Sequence, residues 1–193
     1  MRKQSMITKP EATIELIKRA LSCGITAQYV LMDTWFTNEP MIKSLTNLGL
    51  EVIGMVKQLK QRYNYKGKAC TLQQLQKEVV LSRSSNILGS VTTTTKTGIQ
   101  VKIVFVKNRK YKKQYLHILS TDITLSDEEI VRIYGNRWSI ECFFKTAKSL
   151  MKLETEFQSR DYTAIAAHTA IVFTRYIIIE YMRRNANDFK SQV

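Results

Sequence analysis

Four residues in the C-terminal third have the types and spacing to work together on a phosphate. Tyr134, Arg137, Glu141 and Lys148 lie at intervals of three, four and seven in the stretch YGNRWSIECFFKTAK. The spacing predicts one helix over 134–148. At about 100° per residue the four side chains fall in a stripe roughly 60° wide. Ile133, Ile140, Phe143, Phe144, Ala147 and Met151 fall beside that stripe and are expected to face a core. A carboxylate among cations at the edge of an apolar face suits a metal ligand next to a phosphate-binding strip. The same residues also suit a solvated face stitched by i,i+4 pairs such as Arg137 with Glu141 and Glu141 with Lys145.

Asp33 is the second candidate. It ends the apolar run AQYVLM, residues 27–32. Sites of open α/β sheets collect at the C-terminal ends of strands, where Asp33 would stand. The competing role is local, an Asx turn or a helix cap. One Asp on a strand end and one Glu on a later helix are the right kind of pair for divalent metal chemistry. Phosphoryl transfer by hard cations wants oxygen ligands from several elements, around two ions roughly 3.5–4 Å apart.

The elements that would position these residues can be read in order. Thr8 caps a helix with Pro10 near its start, running through EATIELIKRALSC to Gly24. The strand before Asp33 follows. Asn38 caps a second helix with Pro40 in its first turn, ending at Gly49, and LEVIGMV, residues 50–56, is a second apolar strand. Near-continuous apolar runs separated by helices predict a parallel α/β sheet with helices on both faces. Residues 57–122 change character. They hold a basic segment with Tyr63 and Tyr65, a short helix from Thr71, and three β-strands over 90–95, 99–106 and 115–120. This reads as a β-rich insertion rather than a separate domain. Its basic turn, residues 108–113, suits either solubilising charge on an edge or contact with DNA. Ser126 followed by three acids opens the helix that would carry the four-residue stripe to residue 152. The last helix is expected over 161–185. It is apolar enough to resemble a membrane span, but His168, Arg175 and Glu180 favour a buried, core-facing helix.

The chain has 193 residues, 44% of them hydrophobic, enough for one domain with a real core. Thirty Lys and Arg against 16 acids give a net charge of +14. That balance favours a polyanionic partner, nucleic acid before an anionic membrane, and fits an RNA-associated protein as well as a DNA-binding one. The three cysteines are widely spaced and form no CxxC or Cys/His cluster, so a structural zinc site is disfavoured and a reducing cytoplasm is expected.

These residues resemble a family. The Tyr–Arg–Glu–Lys spacing, with Trp138 directly after Arg137 and Ile140 before Glu141, is similar to the signature of bacterial insertion-sequence transposases with a DDE triad, of the insertion-sequence-four type. YVLMDTWF is similar to the same family's second aspartate segment, and the order of elements agrees over about residues 10–185. The resemblance implies that Asp33 and Glu141 are catalytic and bind Mg2+ or Mn2+. It implies that Tyr134, Arg137 and Lys148 contact double-stranded DNA at transposon ends. Trp138 lies near that DNA or packs beneath it, and Trp35 is expected in the core. The implied fold is α/β, a partial ribonuclease-H-like fold, with residues 10–56 in the core part, 57–122 the β-rich insertion before the catalytic helix, and 123–193 the C-terminal helices. The implied reaction is metal-dependent cleavage and strand transfer of transposon ends, in a cytoplasmic protein that acts as a homodimer or with a full-length transposase.

The departure from the pattern is at the first aspartate. The acids before Asp33 are Glu11 and Glu15, both inside a predicted helix. The resemblance therefore implies a truncated catalytic domain without the first carboxylate and the N-terminal DNA-binding region, inactive on its own. The alternative is a basic, non-catalytic DNA-binding or regulatory relative of a transposase.

Overall fold

The computed structural model describes residues 6–58, 61–79, 86–108, 114–153 and 157–186. The chain divides into two compact units, Met1–Asn136 and Arg137–Val193.

In the first unit, local signals set the element ends. Helix α1, Lys9–Ser22, opens with a capping box between Thr8 and Glu11 and stops at Cys23, before Gly24 at φ +80°. Strand β1, Tyr29–Met32, leads to α2, Glu39–Thr46, which Asn38 caps through a bond from the Met41 N–H. Strand β2, Glu51–Val56, then runs parallel to β1, in register from Tyr29 opposite Glu51 to Met32 opposite Gly54.

The expectation of a parallel sheet holds for that pair alone. The remaining strands are β3 (Tyr63–Tyr65), β4 (Lys68–Cys70), β5 (Ile87–Thr94), β6 (Gln100–Lys107) and β7 (Tyr115–Ser120). All of their pairings are antiparallel, and the sheet order is β1-β2-β7-β6-β5-β3-β4. Short turns reverse the chain between β3 and β4 and between β5 and β6, whereas β2–β7 and β3–β5 pair strands far apart in sequence. Lys66 and Gly67, both at positive φ, make the β3–β4 turn, a hairpin the sequence reading passed over. The β-rich region is therefore continuous with the α/β part: β7 pairs directly with β2, from Ile53 opposite Ser120 to Val56 opposite His117.

Alternation along the strands builds two cores, one on each face. Val52 and Val56 of β2, Val101, Ile103 and Phe105 of β6, and Leu119 of β7 join residues of α2 and of α3 (Leu72–Glu78), with Ile14, Ile17 and Leu21 of α1 against them. Ile53, Val104 and Ile118 point to the other face and meet Ile130 and Tyr134 of α4, Asp127–Gly135. The start of α4 is tied to β6 by Lys102, whose Nζ lies 2.9 Å from Asp127 Oδ1 and donates to the Leu125 carbonyl at 2.7 Å. Helices thus cover both faces, as expected.

The single helix predicted through 134–148 is two helices. Helix α4 ends at Gly135, and the Asn136 N–H bonds back to the carbonyls of Ile133 and Tyr134. Gly135 weakens the helix at this point, as glycine does within a helix, and Asn136 and Arg137 keep right-handed helical dihedrals, so the continuing apolar period obscured the break.

In the second unit, α5 (Trp138–Ser149) and α6 (Tyr162–Asn185) share a small core. Ala147, Met151, Leu153 and Val172 are buried there, and the Phe143 ring sits edge-on to Phe173 and Tyr176 at 5.1 and 4.7 Å. Ile140 and Phe144, expected in the core, are exposed. The expectation of a buried last helix also fails: among the described residues of α6 only Val172 is buried, while Ile171, Ile177, Ile178, Tyr181 and Met182 are exposed. Composition marks a helix as apolar without saying what covers it. By length and composition α6 could cross a membrane.

Candidate active site and nucleic-acid contacts

Strand β1 delivers Asp33 to the C-terminal edge of the parallel pair. Met32 is buried and Asp33 is exposed. Asp33 Oδ1 accepts hydrogen bonds from the backbone N–H groups of Trp35 (2.9 Å) and Phe36 (3.1 Å). Its carbonyl accepts from the Thr37 N–H at 3.0 Å and from the Thr37 hydroxyl at 2.6 Å. This is an Asx turn, so the local role of Asp33 is real. Among the described residues, the hydrogen bonds to its carboxylate both go to Oδ1. The turn therefore fixes the carboxylate while presenting it to solvent. Trp35, expected in the core, is 54% exposed beside it.

A cleft of about 330 Å³ opens at the same end of the sheet. Thr34, Lys57, Gln58, Gln114, Tyr115 and His117 line it. It forms there because β2 leaves the sheet at Val56 where antiparallel β7 enters it, opposite His117. The His117 ring is edge-on to Phe105 at 5.3 Å, and its Nε2 is 3.5 Å from Gln58 Nε2. Burial pushes the His117 imidazole down to about 4. Neither Gln58 nor His117 was singled out from sequence. Their meeting depends on pairing between residues 59 positions apart, which leaves no local pattern.

The four-residue stripe is redistributed. Tyr134 is buried on the α4 face of the sheet, packed with Ile53, Val104, Ile118 and Ile130. It belongs to the first unit, whereas Arg137, Glu141 and Lys148 belong to the second. On α5 the Arg137 guanidinium pairs with the Glu141 carboxylate one turn later, as the i,i+4 alternative expected. Lys148 is exposed in the last turn. The intervals of four and seven keep these three on one side of the helix. Trp138 is 63% exposed, which excludes plain core packing for it.

Residues 7–178 match the family described as transposase DDE domain. The chain belongs to that family. No curated protein matches it. The chain is similar in fold to the cryo-EM structure of the piggyBac transposase synaptic complex with hairpin DNA, at 16% identity and a TM-score of 0.52. The match covers 100% of this chain and 39% of that one. At such identity the likeness concerns the fold, and this transposase domain spans well under half the length of its structural neighbour.

The family's chemistry runs on a divalent metal, and the fit to it is partial. Asp33 and Glu141 are the hard oxygen donors such an ion prefers. Among the described residues, however, no three His, Cys, Asp or Glu side chains come together as a metal-binding group. Asp33 is engaged in its turn, and Glu141 carries a guanidinium. The basic turn at 109–113 lies outside the described residues.

Proposed function

We propose that this domain acts on transposon-end DNA, with Asp33 and Glu141 as two of the carboxylates of a DDE site on a ribonuclease-H-like scaffold. The observation that carries the reading is the family match over residues 7–178. The two proposed carboxylates, Asp33 and Glu141, sit on an ordered turn at a strand end and on an exposed helix face. Arg137 and Lys148 hold DNA phosphates, with Trp138 against the sugar or base beside them. Tyr134 packs against the sheet of the first unit, with its ring buried among Ile53, Val104, Ile118 and Ile130, and is left out of the phosphate strip. Two carboxylates are too few for a stable pair of Mg2+ or Mn2+ ions. The domain by itself therefore binds DNA without cutting it, and catalysis needs a further carboxylate or a partner, such as a second copy or a longer transposase.

The test is a gel-shift and cleavage assay on the cognate terminal repeats. Salt-dependent binding of the purified chain is expected, weakened by Arg137→Ala and Lys148→Ala, with no strand cleavage in Mg2+ or Mn2+. Efficient cleavage by the chain alone would refute the two-carboxylate reading. Undiminished binding by both variants would remove α5 from the DNA contact.

A further inference from the structure

We propose that Trp35 is a stacking platform for an unpaired nucleobase next to Asp33. This rests on the reading of Asp33 as part of a DNA-processing site. The indole is large, 54% exposed, and two residues along the chain from the carboxylate. It is not a loose surface side chain. Its backbone N–H is bonded to Asp33 Oδ1 at 2.9 Å, its carbonyl accepts from the Asn38 amide at 3.5 Å, and the Phe36 ring meets it edge-on at 4.6 Å. The same carboxylate therefore fixes the backbone from which the indole projects. An exposed aromatic held this way loses little conformational entropy on stacking.

The charge beside it fits a nucleotide. Lys9 Nζ lies 5.8 Å from the indole centroid, a cation over an aromatic face. A base that settles on the ring displaces that ammonium by rotation of its flexible stem and leaves it close to the nucleotide's own phosphate. In a paired duplex the base faces are covered by their neighbours, so the platform selects an unpaired base. Stacking of this kind is tolerant of sequence, because every base has a π-face.

The experiment compares binding of the full chain to a blunt duplex and to the same duplex with a few unpaired nucleotides at one end, while following tryptophan fluorescence. The expected result is about tenfold tighter binding to the unpaired end, with quenching in excess of that on the blunt duplex, an excess that Trp35→Phe removes while any Trp138 quenching stays, and a preference that Trp35→Ala abolishes. If Trp35→Ala is unfolded by circular dichroism, the quenching difference between the native chain and Trp35→Phe decides. Equal affinity for both duplexes, a preference that survives in Trp35→Ala, or quenching unchanged in Trp35→Phe would overturn the proposal and leave the transposase reading standing. A chain that binds neither duplex overturns both.

Discussion

Gly54 and Thr37 occupy a space that holds only one side chain. A Cβ built on Gly54 would lie 2.3 Å from the Thr37 hydroxyl oxygen and 2.8 Å from its methyl carbon. That hydroxyl donates to the Asp33 carbonyl, so a glycine in β2 makes room for the turn that orients the candidate carboxylate. Gly54→Ala is expected to destabilise the fold by roughly 1–3 kcal/mol through overpacking. Chemical denaturation checks this. Thr37→Ala in the Gly54→Ala background removes both the hydroxyl and the methyl that clash and should recover part of the loss. A Gly54→Ala chain of native stability would show that Thr37 moves aside freely.

The local parts of this design were legible in sequence, and the nonlocal parts were not. The caps at Thr8, Asn38 and Ser126 each use residues three positions apart, and all three form as such signals predict, while Thr71, read as the first residue of its helix, is that helix's cap. The apolar runs located β1 and β2, but an apolar run does not state the direction of its neighbours, and so β7 beside β2 came as antiparallel. Asp33 and the Arg137–Glu141 pair were visible because turns and i,i+4 spacing are short-range. Tyr134 was placed on one helix with Glu141 and Lys148 by reading one helical period through Gly135 and Asn136, whereas it lies in α4 and they lie in α5. The exposures of Trp35 and α6 depend on what packs over them, and no spacing rule carries that.

His117 should make stability depend on pH in a defined window. Its folded value near 4 lies below the ordinary 6.5, so the unfolded chain binds the proton more readily. The stabilisation is fully present above about pH 6.5 and is lost as pH falls toward 4, up to about 3 kcal/mol. Denaturant midpoints measured from pH 7 to 4.5 should fall in the native chain and stay flatter in His117→Gln. The carboxyls of Glu11, Glu39, Asp122 and Glu129 are held below their usual range, so they too lose stabilisation as pH falls toward ordinary carboxyl values, but they do so in both chains, and the difference between the two slopes reports His117. Identical slopes in the two chains would show that His117 accepts a proton without cost.

Glu141 and Arg137 offer a way to separate binding from metal chemistry. The carboxylate sits on the guanidinium that is proposed to hold phosphate. Glu141→Gln removes a negative charge from the strip, so DNA binding should hold or tighten by a few-fold, with stability nearly unchanged for an exposed pair. Arg137→Ala should weaken binding and reduce the salt slope by about one. If Glu141 is a metal ligand, any Mn2+-dependent gain in DNA affinity should vanish in Glu141→Gln and persist in Arg137→Ala. A Glu141→Gln chain with much weaker binding would mean that the pair organises α5 instead of limiting it.

Tyr63 is fully buried in the core on the α1–α3 face, and its hydroxyl has no hydrogen-bond partner among the described residues. Burial raises its ionisation well above the ordinary tyrosine range. A hydroxyl desolvated without a partner costs free energy, while the ring it carries contributes packing. Tyr63→Phe keeps the ring and removes the orphan, so it should be neutral or stabilising by about 1 kcal/mol. Tyr63→Ala removes both and should cost roughly 3–5 kcal/mol. Thermal or urea unfolding of the two variants decides the sign. A clearly destabilised Tyr63→Phe would mean that the hydroxyl has a partner in solution, a buried water being the simplest that would fit.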